Sequence, residues 1–484
     1  MSSPSPITLT PSQQNAFDKI LAFIEDEDAK VFILTGYAGT GKTTITKQVI
    51  KKFDEMELSY SLCASTGRAS KILSDLSGRT ATTVHSLLYT YSDFNKNLDE
   101  EIKLAESKQT SSNSLYLVFS FEPKPAGAQG GIYIVDESSM IGDVKQEETS
   151  QAVFGSGRLL SDLMKYDPKG KFIFIGDDCQ LPPVGQSQSP ALSSDYIERV
   201  FQIMPQSARL TEIMRQRDGN DIVRAAAAIR FEYENAPAEN PFPESTRRIW
   251  KFLYWRNCNN IKIIANQGIM LQKYIDTIRT SGYDKATLIA NSNKKCSDLA
   301  ALIRPALGFH SLINVGDLLL VTQNNLISGL MNGDLVKVKS VGASSYCATL
   351  HFVHVRVENV SNGKEYSQLM IADILNGFSV NLTGEQQKAL FVDFAIRMGK
   401  KGHKQHSEEF KKEMYKDEYL NALRCVYGYA LTCHKAQGGE WDEVFLCPAR
   451  NITLNPVKAN YQWVYTAMTR AKKYLYVADD FFIK

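Results

Sequence analysis

The chain has 484 residues, of which 43% are hydrophobic and 22% are charged, and its formal net charge is +2. This length is too great for a single hydrophobic core and predicts several domains, while the composition is that of a soluble globular protein. The nearly balanced charge excludes a bulk electrostatic attraction to nucleic acid, so contacts with phosphate groups must come from local clusters.

The cysteines and the N-terminal segment bear on the compartment. Eight cysteines are scattered along the chain without a C-x-x-C pair, which favours a reducing compartment and argues against a zinc site or a disulfide framework. Residues 1–8 are rich in serine and proline and lack charged side chains, so we expect neither a signal peptide nor a transit peptide. No apolar run is long enough to span a membrane. We therefore expect a cytoplasmic protein without a membrane partner.

The first predicted element is a helix that opens at Thr10. Thr10 supplies a capping hydroxyl, Pro11 suits the first helical position, and Gln13 stands where the partner of a capping box is expected. Gln13 has two interpretations. It is either a helix cap or an amide whose donor and acceptor read the edge of adenine.

A glycine-rich turn between a strand and a helix is the most informative segment. The apolar run 31–34 predicts a buried strand, and the run 43–53 contains no helix breaker. The turn matches the pattern G-x-x-x-x-G-K-[ST] at Gly36, Gly41, Lys42 and Thr43. Such a loop curls its N–H groups around a polyphosphate, with the lysine on the outer phosphates and the hydroxyl on Mg²⁺. The predicted nucleotide contacts are Gly36, Ala38, Gly39, Thr40, Gly41, Lys42, Thr43 and Thr44, and the alternative is an ordinary glycine turn.

Two further loops carry small hydrogen-bonding residues and cations. The strand predicted at 60–64 is followed by Thr66 and Arg68, and a second group contains Thr83 and His85. Ligands bind at the edge of an α/β sheet where parallel strands end. Taken alone, however, each group is also an ordinary helix cap.

Residues 89–131 have a different character. A charged and polar stretch leads into a strand-forming run at 115–121, which predicts a small insertion, such as a β-hairpin. Phe119 and Phe121 would share one face of that strand. They either pack the base of the hairpin or project as a wedge.

Two more buried strands end in polar residues. The strand predicted at 132–135 is followed by Asp136 and Glu137, and the strand predicted at 172–175 is followed by Gln180. In a Mg·ATP site one acid holds the metal and the next polarises the attacking water. Parallel strands would bring these residues to the edge that carries Lys42. The alternatives are a helix cap for the acids and an amide bonded to backbone for Gln180.

The second half predicts another α/β unit without a second phosphate loop. Strands are expected at 286–290, 317–321 and 334–338, short β structure at 343–357, and charged helices at 385–423. Two dense stretches, at 429–440 and 465–473, each precede a predicted strand.

The motifs, taken in order, resemble those of superfamily 1 helicases, and within them the RecD-like and Dda-like branch. The matching segments are L-T-x-x-Q ending at Gln13, G-x-A-G-T-G-K-T at 36–43, T-G-R-A-x-K-x-L at 66–73, V-D-E-x-S-M at 135–140, G-D-x-x-Q-L-P-P-V at 176–184, L-T-x-x-x-R-Q at 210–216, N-G-D at 332–334, T-x-H-K-A-Q-G at 432–438 and V-Y-T-A-M-T-R-A at 464–471. Ser65 departs from the proline that the family often has.

The resemblance implies an α/β fold of two RecA-like domains with small inserted subdomains. The first domain would comprise residues 1–88 and 132–205, and the second 206–338 and 425–484. Residues 89–131 would form a strand-separating pin. Residues 339–424 would form an SH3-like insertion with a charged helical extension.

The resemblance also implies ATP and Mg²⁺ as ligands and a role for each motif. Gln13 and Gly438 would contact the nucleotide, Thr43 and Asp136 would bind Mg²⁺, Glu137 would activate water, and Gln180 would link the γ-phosphate to DNA. Arg215 and Arg470 would act as arginine fingers, because arginine presents an always-charged planar fork to the transferred phosphoryl group. The DNA-binding residues would be Thr66, Arg68, Thr83, His85, Phe119, Thr432, His434 and Lys435.

The resulting hypothesis is an ATP-dependent helicase that moves 5′ to 3′ on single-stranded DNA and opens forked DNA. Its protein partners would belong to replication, repair or defence. Two alternatives come from other classes: a nucleic-acid-binding switch that ATP controls without unwinding, and a kinase-type P-loop enzyme that acts on a small molecule. DNA-stimulated turnover with strand separation distinguishes the first hypothesis from both.

Overall fold

The computed structural model describes residues 9–94, 119–125, 129–145, 152–212, 220–236, 255–377, 379–405, 407–450, 452, 457–480 and 483. Among the described residues, none of the helices is both long enough and apolar enough to cross a membrane. The α-helices are α1 Pro11–Glu25, α2 Lys42–Glu55, α3 Gly67–Ser77, α4 Val84–Leu88, α5 Leu159–Tyr166, α6 Ser194–Phe201, α7 Asp221–Asn235, α8 Gln267–Ser281, α9 Asn293–Ala306, α10 Asp373–Asn376, α11 Gly384–Lys400, α12 Glu408–Lys416, α13 Cys433–Ala436 and α14 Lys458–Met468.

The strands are β1 Val31–Gly36, β2 Tyr60–Ala64, β3 Ala81–Thr83, β4 Tyr89–Phe94, β5 Phe119–Pro123, β6 Ile132–Asp136, β7 Ala152–Phe154, β8 Lys171–Gly176, β9 Gln206–Leu210, β10 Ile261–Ile264, β11 Ala286–Ala290, β12 Leu318–Val321, β13 Leu335–Cys347, β14 Leu350–Asn359, β15 Glu365–Ile371, β16 Cys425–Tyr427, β17 Leu431–Thr432, β18 Trp441–Cys447 and β19 Ala471–Ala478. Short 3₁₀ helices cover Ser138–Met140 and Pro190–Leu192.

The first sheet is parallel and has the strand order β3-β2-β6-β8-β1-β9 within the described residues. The four apolar residues that begin β1 and β6 are all buried, because helices cover both faces of a parallel sheet and its central strands are therefore apolar throughout. The predicted strands at 31–34, 60–64, 132–135 and 172–175 are confirmed. Because β6, β8 and β1 are neighbours, the loops that follow them lie at one edge.

The second sheet is also parallel, with the order β10-β19-β18-β11-β17 in the described part of the chain. The predicted strand at 286–290 is confirmed without a shift of either end. Helices α8 and α14 pack with this sheet around a core that includes Tyr274, Leu288 and Tyr465. These two parallel sheets account for the predicted α/β architecture.

A third sheet is formed by β12 to β16 within the described residues. It is antiparallel and has the order β15-β14-β13-β12-β16. Helices α11 and α12 pack together beside it through an apolar cluster that includes Phe391 and Phe410. The predicted helical region at 385–423 is confirmed as two helices up to Lys416, and residues 417–423 are not helical. The chain turns between them at Gly402, whose φ is +81°.

Three strands lie in sheets other than those predicted. The predicted boundary at 205/206 assigned β9 to the second domain, but β9 pairs with β1 in the first sheet. The strands expected at 317–321 and 334–338 exist as β12 and β13, but they lie in the antiparallel sheet and not in the second α/β unit. The reason is that β12 is buried on both faces, and a doubly buried antiparallel strand has the same apolar pattern as a parallel one.

A small sheet, β4-β5-β7, contains the described part of the predicted insertion. It also includes β7, which lies beyond the predicted limit at residue 131. Phe121 stacks on Phe154 at a ring distance of 4.5 Å, so it packs this sheet. Phe119 begins β5, and residues 115–118 of the predicted strand lie outside the described residues.

Asp167 stabilises the turns that precede β6 and β8. Its buried carboxylate accepts hydrogen bonds from the Gly130, Gly131 and Lys169 amides and from the Tyr133 hydroxyl. Burial alone would raise the pKa of Asp167, but these donated bonds outweigh it and hold the pKa below its ordinary value.

We expect Asp167→Asn to destabilise the fold by about 2 kcal/mol at neutral pH, because hydrogen bonds to an ionised group stabilise more than neutral ones. The lowered pKa means that the contribution is present above the ordinary aspartate pKa and is lost as the pH falls through the folded value. Urea unfolding should therefore show a difference from wild type that shrinks below about pH 4. The exposed Asp75→Asn serves as control, and an equal loss in both variants would contradict this assignment.

Candidate functional site

The loop between β1 and α2 has the backbone of a phosphate cradle. Gly39 and Gly41 have φ values of +80° and +85°, which disfavour residues with a Cβ atom. Helix α2 begins at Lys42, and among the described residues no side chain caps its first turn. The N–H groups of that turn, together with the positive end of the helix, are therefore available to an anion.

The side chain of Lys42 folds back onto the loop between β1 and α2. Its Nζ donates to the Gly36 carbonyl at 2.6 Å and to the Tyr37 carbonyl at 3.2 Å, while Thr43 is exposed. Thr40 is buried and donates from its hydroxyl to the Tyr37 carbonyl at 2.8 Å. The ammonium group thus has two neutral carbonyl acceptors within the loop. A phosphate oxygen would be a stronger, charged acceptor for it.

Gln13 contacts both the first helix and the loop. Its Oε1 accepts from the Thr10 amide at 3.1 Å in a complete capping box, which confirms the cap interpretation. Its Nε2 donates to the Thr40 carbonyl at 3.0 Å. Each end of the amide thus has one partner, and its second N–H and second lone pair could still serve a contact with adenine.

The predicted acidic pair lies at the end of β6, where Asp136 is the last residue of the strand and Glu137 follows it. The Asp136 Oδ1 accepts from the Glu137 amide at 2.8 Å. Desolvation, and then the charge of Glu137, raise the pKa of Asp136 to about 6, and Lys42 opposes this shift. Glu137 has φ +50° and ψ +40°, a left-handed backbone that costs a residue with a side chain about 1 kcal/mol or more. Two acids in a poorly hydrated site near a cation are therefore held on a strained turn.

The loop after β8 contains a second acidic pair. Asp177 accepts from the Cys179 amide at 3.0 Å and from the Tyr465 hydroxyl at 2.8 Å, and Asp178 pairs with Arg209 at 3.2 Å. Burial raises the pKa of the Cys179 thiol, so the thiolate needed for metal binding is disfavoured. Although these three side chains lie within reach of one another, their existing partners make a structural pair and not a metal site.

Four side chains of the second half of the chain form bridges between the two parallel sheets. They were not identified from the sequence. Tyr465 accepts from the Ala38 amide at 2.9 Å, and Thr466 accepts from the Leu181 amide at 2.9 Å. The Gln462 and Gln437 amides donate to the carbonyls of residues 180 and 181 at 3.1 and 3.2 Å. Residues 462, 465 and 466 have the i, i+3, i+4 spacing of one helix face. That spacing could have indicated from the sequence that these polar side chains share a contact surface.

Of the two predicted arginine fingers, Arg470 lies within the described residues and Arg215 does not. Arg470 is buried and donates to the Thr466 carbonyl at 3.1 Å, the Thr469 hydroxyl at 3.2 Å and the Gly439 carbonyl at 3.4 Å. These partners all belong to its own half of the chain. Arg215 lies outside the described residues.

Arg68 lies where the two halves of the chain meet. Its guanidinium is 4.6 Å from the ring centroid of Trp441. Burial lowers the pKa of Arg68 to about 10, with Asp334 opposing and Arg470 adding to the shift. Gly438, with φ +71°, faces helix α3, so a Cβ there would lie 3.7 Å from the Ala69 Cβ. Both predicted positions therefore contribute to a contact between the halves.

The predicted DNA-binding threonines are helix caps. Thr66, Thr83 and Thr432 each accept a backbone N–H three residues ahead, at 3.2, 3.1 and 3.4 Å. Burial lowers the pKa values of His85, His434 and Lys435. His85 meets Phe154 of the small sheet edge-on at 5.2 Å. The cap interpretation is thus confirmed, and DNA binding by these residues stays a prediction.

Two RecA-like α/β units, with a phosphate loop at the edge of one and side chains of the other bonded to it, define a two-domain P-loop nucleotide-binding protein. Residues 8–238 match the model of an AAA domain, and residues 427–478 match that of a UvrD-like helicase C-terminal domain. The chain is thus similar in sequence to superfamily 1 helicases of the RecD and Dda type.

Three similar proteins illustrate the relationship. The ATP-dependent RecD2 DNA helicase of Deinococcus radiodurans is 33% identical over 198 residues, which are 41% of this chain and 21% of that protein. The ATP-dependent DNA helicase Dda of phage T4 is 33% identical over 189 residues, or 39% of this chain and 36% of Dda. A Pif1 helicase from Bacteroides, solved with ADP-AlF3 and single-stranded DNA, has 18% identity and a TM-score of 0.49 over 99% of this chain and 94% of that one. The match thus spans about a fifth of the length of RecD2 and about a third of that of Dda.

We expect Gly41→Ala to reduce nucleotide affinity at least about tenfold, since a Cβ at residue 41 would lie 2.3 Å from the Gln13 Nε2 and deform the cradle. Gly308→Ala is a matched control, because Gly308 has φ +84° and no atom within 4 Å of the added Cβ. Both variants should lose about 1 kcal/mol of stability from the strained backbone. Titration with a fluorescent ATP analogue measures the affinity, and equal affinities would contradict the predicted role of the loop.

Proposed function

We propose that this chain is an ATP-dependent DNA helicase that moves 5′ to 3′ along single-stranded DNA and separates forked duplex. The supporting observation is that the loops after β1, β6 and β8 meet at one sheet edge while the second half of the chain bonds to two of them. The similar proteins RecD2 and Dda are ATP-dependent DNA helicases, and the direction of movement is inferred from the family resemblance.

ATP and Mg²⁺ fit the residues at this edge. The uncapped first turn of α2 and Lys42 would hold the phosphates. Asp136 has raised proton affinity beside Glu137, and its Oδ2 makes no hydrogen bond among the described residues, so a cation at this position would relieve two crowded acids. Mg²⁺ would be held by Asp136 and Thr43 and would neutralise charge on the phosphates.

Glu137 and Gln180 are assigned to hydrolysis. Glu137 would accept a proton from the attacking water, and its left-handed backbone fixes the direction of its Cα–Cβ bond. The Gln180 Oε1 is buried without a hydrogen-bond partner among the described residues, which leaves an acceptor for water or for another donor in the site. Arg215 and Arg470 would supply positive charge from the second half of the chain, as the family resemblance implies.

Movement would follow from differential binding to open and closed arrangements of the two halves. Closure adds cationic side chains to the phosphates that Lys42 holds, and hydrolysis removes that gain, so the population returns to the open arrangement. Two halves that grip the strand alternately would thereby advance along it.

The DNA track would run past the capping threonines. Each cap uses the hydroxyl oxygen as an acceptor, and in Thr66 and Thr432 the hydroxyl proton makes no bond among the described residues, so it can be donated to a phosphate oxygen. Arg68, His434 and Lys435 would add donors. Contacts of this kind fix position and carry little sequence preference.

The inserted parts are proposed as a pin and an SH3-like subdomain. The pairing of strands supports limits that differ from those predicted from the sequence. The first RecA-like domain would extend through β9, the pin would include β7, and the SH3-like subdomain would begin near β12.

We expect Lys42→Ala to abolish ATP turnover and Glu137→Gln to lower it about a hundredfold or more while retaining nucleotide binding. Lys294→Ala removes an exposed lysine from the first turn of α9 and should have no effect. Retained turnover in Lys42→Ala would refute the assignment of the nucleotide site.

Strand separation by the wild type on 5′- and 3′-tailed duplexes decides the direction of movement. Unwinding only from 3′ tails would overturn the proposed 5′-to-3′ direction. DNA-stimulated turnover without unwinding from either tail would favour an ATP-controlled binding switch.

We expect Phe119→Ala to reduce unwinding more than DNA-stimulated ATP turnover, because a wedge acts on the duplex and not on the nucleotide. Phe231, an aromatic residue of α7 with 66% of its surface exposed, gives the control Phe231→Ala. Rates of strand separation and ATP turnover measured on the same fork give the comparison. An equal loss of both activities would remove the wedge assignment.

A further inference from the structure

The hydroxyl of Tyr465 joins three segments that are distant in sequence. It accepts a hydrogen bond from the Ala38 amide at 2.9 Å and donates one to the Asp177 Oδ2 at 2.8 Å. The residue is 2% exposed. Burial, and then the charge of Asp177, raise the pKa of Tyr465 well above its ordinary value, so the hydroxyl keeps the proton that it donates.

Helix α14, which carries Tyr465, also holds the loop after β8 at two backbone positions. The Leu181 amide donates to the Thr466 hydroxyl at 2.9 Å, and the Gln462 amide donates to the Gln180 carbonyl at 3.1 Å. One face of α14 therefore fixes the loop of Gln180, and only Tyr465 among these three also bonds to the phosphate loop.

Asp177 and Tyr465 together determine how firmly Gln180 is held. The Gln180 Nε2 is 3.5 Å from the Asp177 Oδ2, the oxygen that already accepts from Tyr465 at 2.8 Å. The Oε1 of Gln180 and that of Gln437 are both buried and make no hydrogen bond among the described residues. The Gln180 side chain is thus held weakly by an oxygen that Tyr465 shares, and its acceptor end has no partner.

We propose that Tyr465 is a positioning residue that couples closure of the two RecA-like domains to nucleotide hydrolysis. Its hydroxyl sets the distance between the phosphate loop and Asp177, and through Asp177 it orients the Gln180 amide. The Ala38 amide belongs to the loop that is expected to bind phosphate, so the tyrosine also occupies a donor that nucleotide would otherwise use. This role rests on the proposed ATP-dependent function, but it does not depend on unwinding or on direction.

Tyr465→Phe keeps the buried ring and removes the two hydrogen bonds. We expect kcat for DNA-stimulated ATP turnover to fall at least about tenfold, since misplaced groups at a reacting centre lose this much or more. KM for ATP should stay equal or decrease, because the freed Ala38 amide is available to phosphate. Tyr274→Phe is the control: Tyr274 is equally buried, and its hydroxyl donates to the Tyr429 carbonyl at 2.7 Å away from the nucleotide edge.

A double-mutant cycle tests whether Asp177 carries the effect. Asp177→Ala removes the acceptor and Tyr465→Phe the donor of the same bond, so the double variant should turn over ATP no more slowly than the slower single variant. Multiplied losses in the double variant would show that the two residues act independently and would overturn the proposed route through Asp177.

Hydrogen exchange gives a readout that does not need turnover. In the nucleotide-free protein, Tyr465→Phe should remove protection from the Ala38 amide, and Tyr274→Phe should not. Lost protection with unchanged kcat would reduce Tyr465 to a packing residue, and so would a fall in kcat that is matched by Tyr274→Phe.

Failure of the proposed function has a different signature. A wild type that turns over ATP without unwinding still supports the positioning role when Tyr465→Phe lowers kcat. If the wild type does not turn over ATP, the positioning role of Tyr465 makes a different prediction. ADP with aluminium fluoride should then increase the hydrogen-exchange protection of residues 177–181 in the wild type but not in Tyr465→Phe. Equal protection in the two proteins would overturn it.

Discussion

The neighbouring positions of β6, β8 and β1 in one parallel sheet constrain the rest of the candidate site. Adjacent strands lie about 4.8 Å apart and end at the same edge, so the loops that begin at residues 36, 136 and 177 cannot separate without breaking the sheet. The effect of Lys42 on the pKa of Asp136 is an electrostatic sign of this closeness. The second half of the chain bonds to two of these loops, those after β1 and β8.

The strands of this edge could be predicted because central parallel strands are apolar throughout and are followed by the polar residues of their loops. The same signal failed for β12, since LLLV is equally apolar when it pairs with two antiparallel neighbours. The edge strand β9 alternates between buried and exposed residues, and nothing local identifies its partner. Composition thus predicts burial, whereas the sheet to which a strand belongs depends on pairing between distant segments.

The motifs located the site but not the present hydrogen bonds of its side chains. Gln13 and the capping threonines belong to residue types that serve equally well as caps and as ligand contacts, so sequence alone could not separate the two. The bridging residues of α14 were missed because their partners lie far away in sequence, with Leu181 and Thr466 separated by 285 in residue number. Arg470 drew attention by its charge, although Tyr465 five residues earlier is the residue that bonds to the phosphate loop.

The left-handed backbone of Glu137 separates stability from chemistry at one position. Glycine adopts this conformation without the steric penalty of a Cβ, and asparagine tolerates it better than most residues. Either replacement would relax the turn after β6, and either would also remove the carboxylate assigned to the attacking water. Selection for thermal resistance alone would therefore favour losing the acid, and the proposed role of its carboxylate in turnover would oppose that loss.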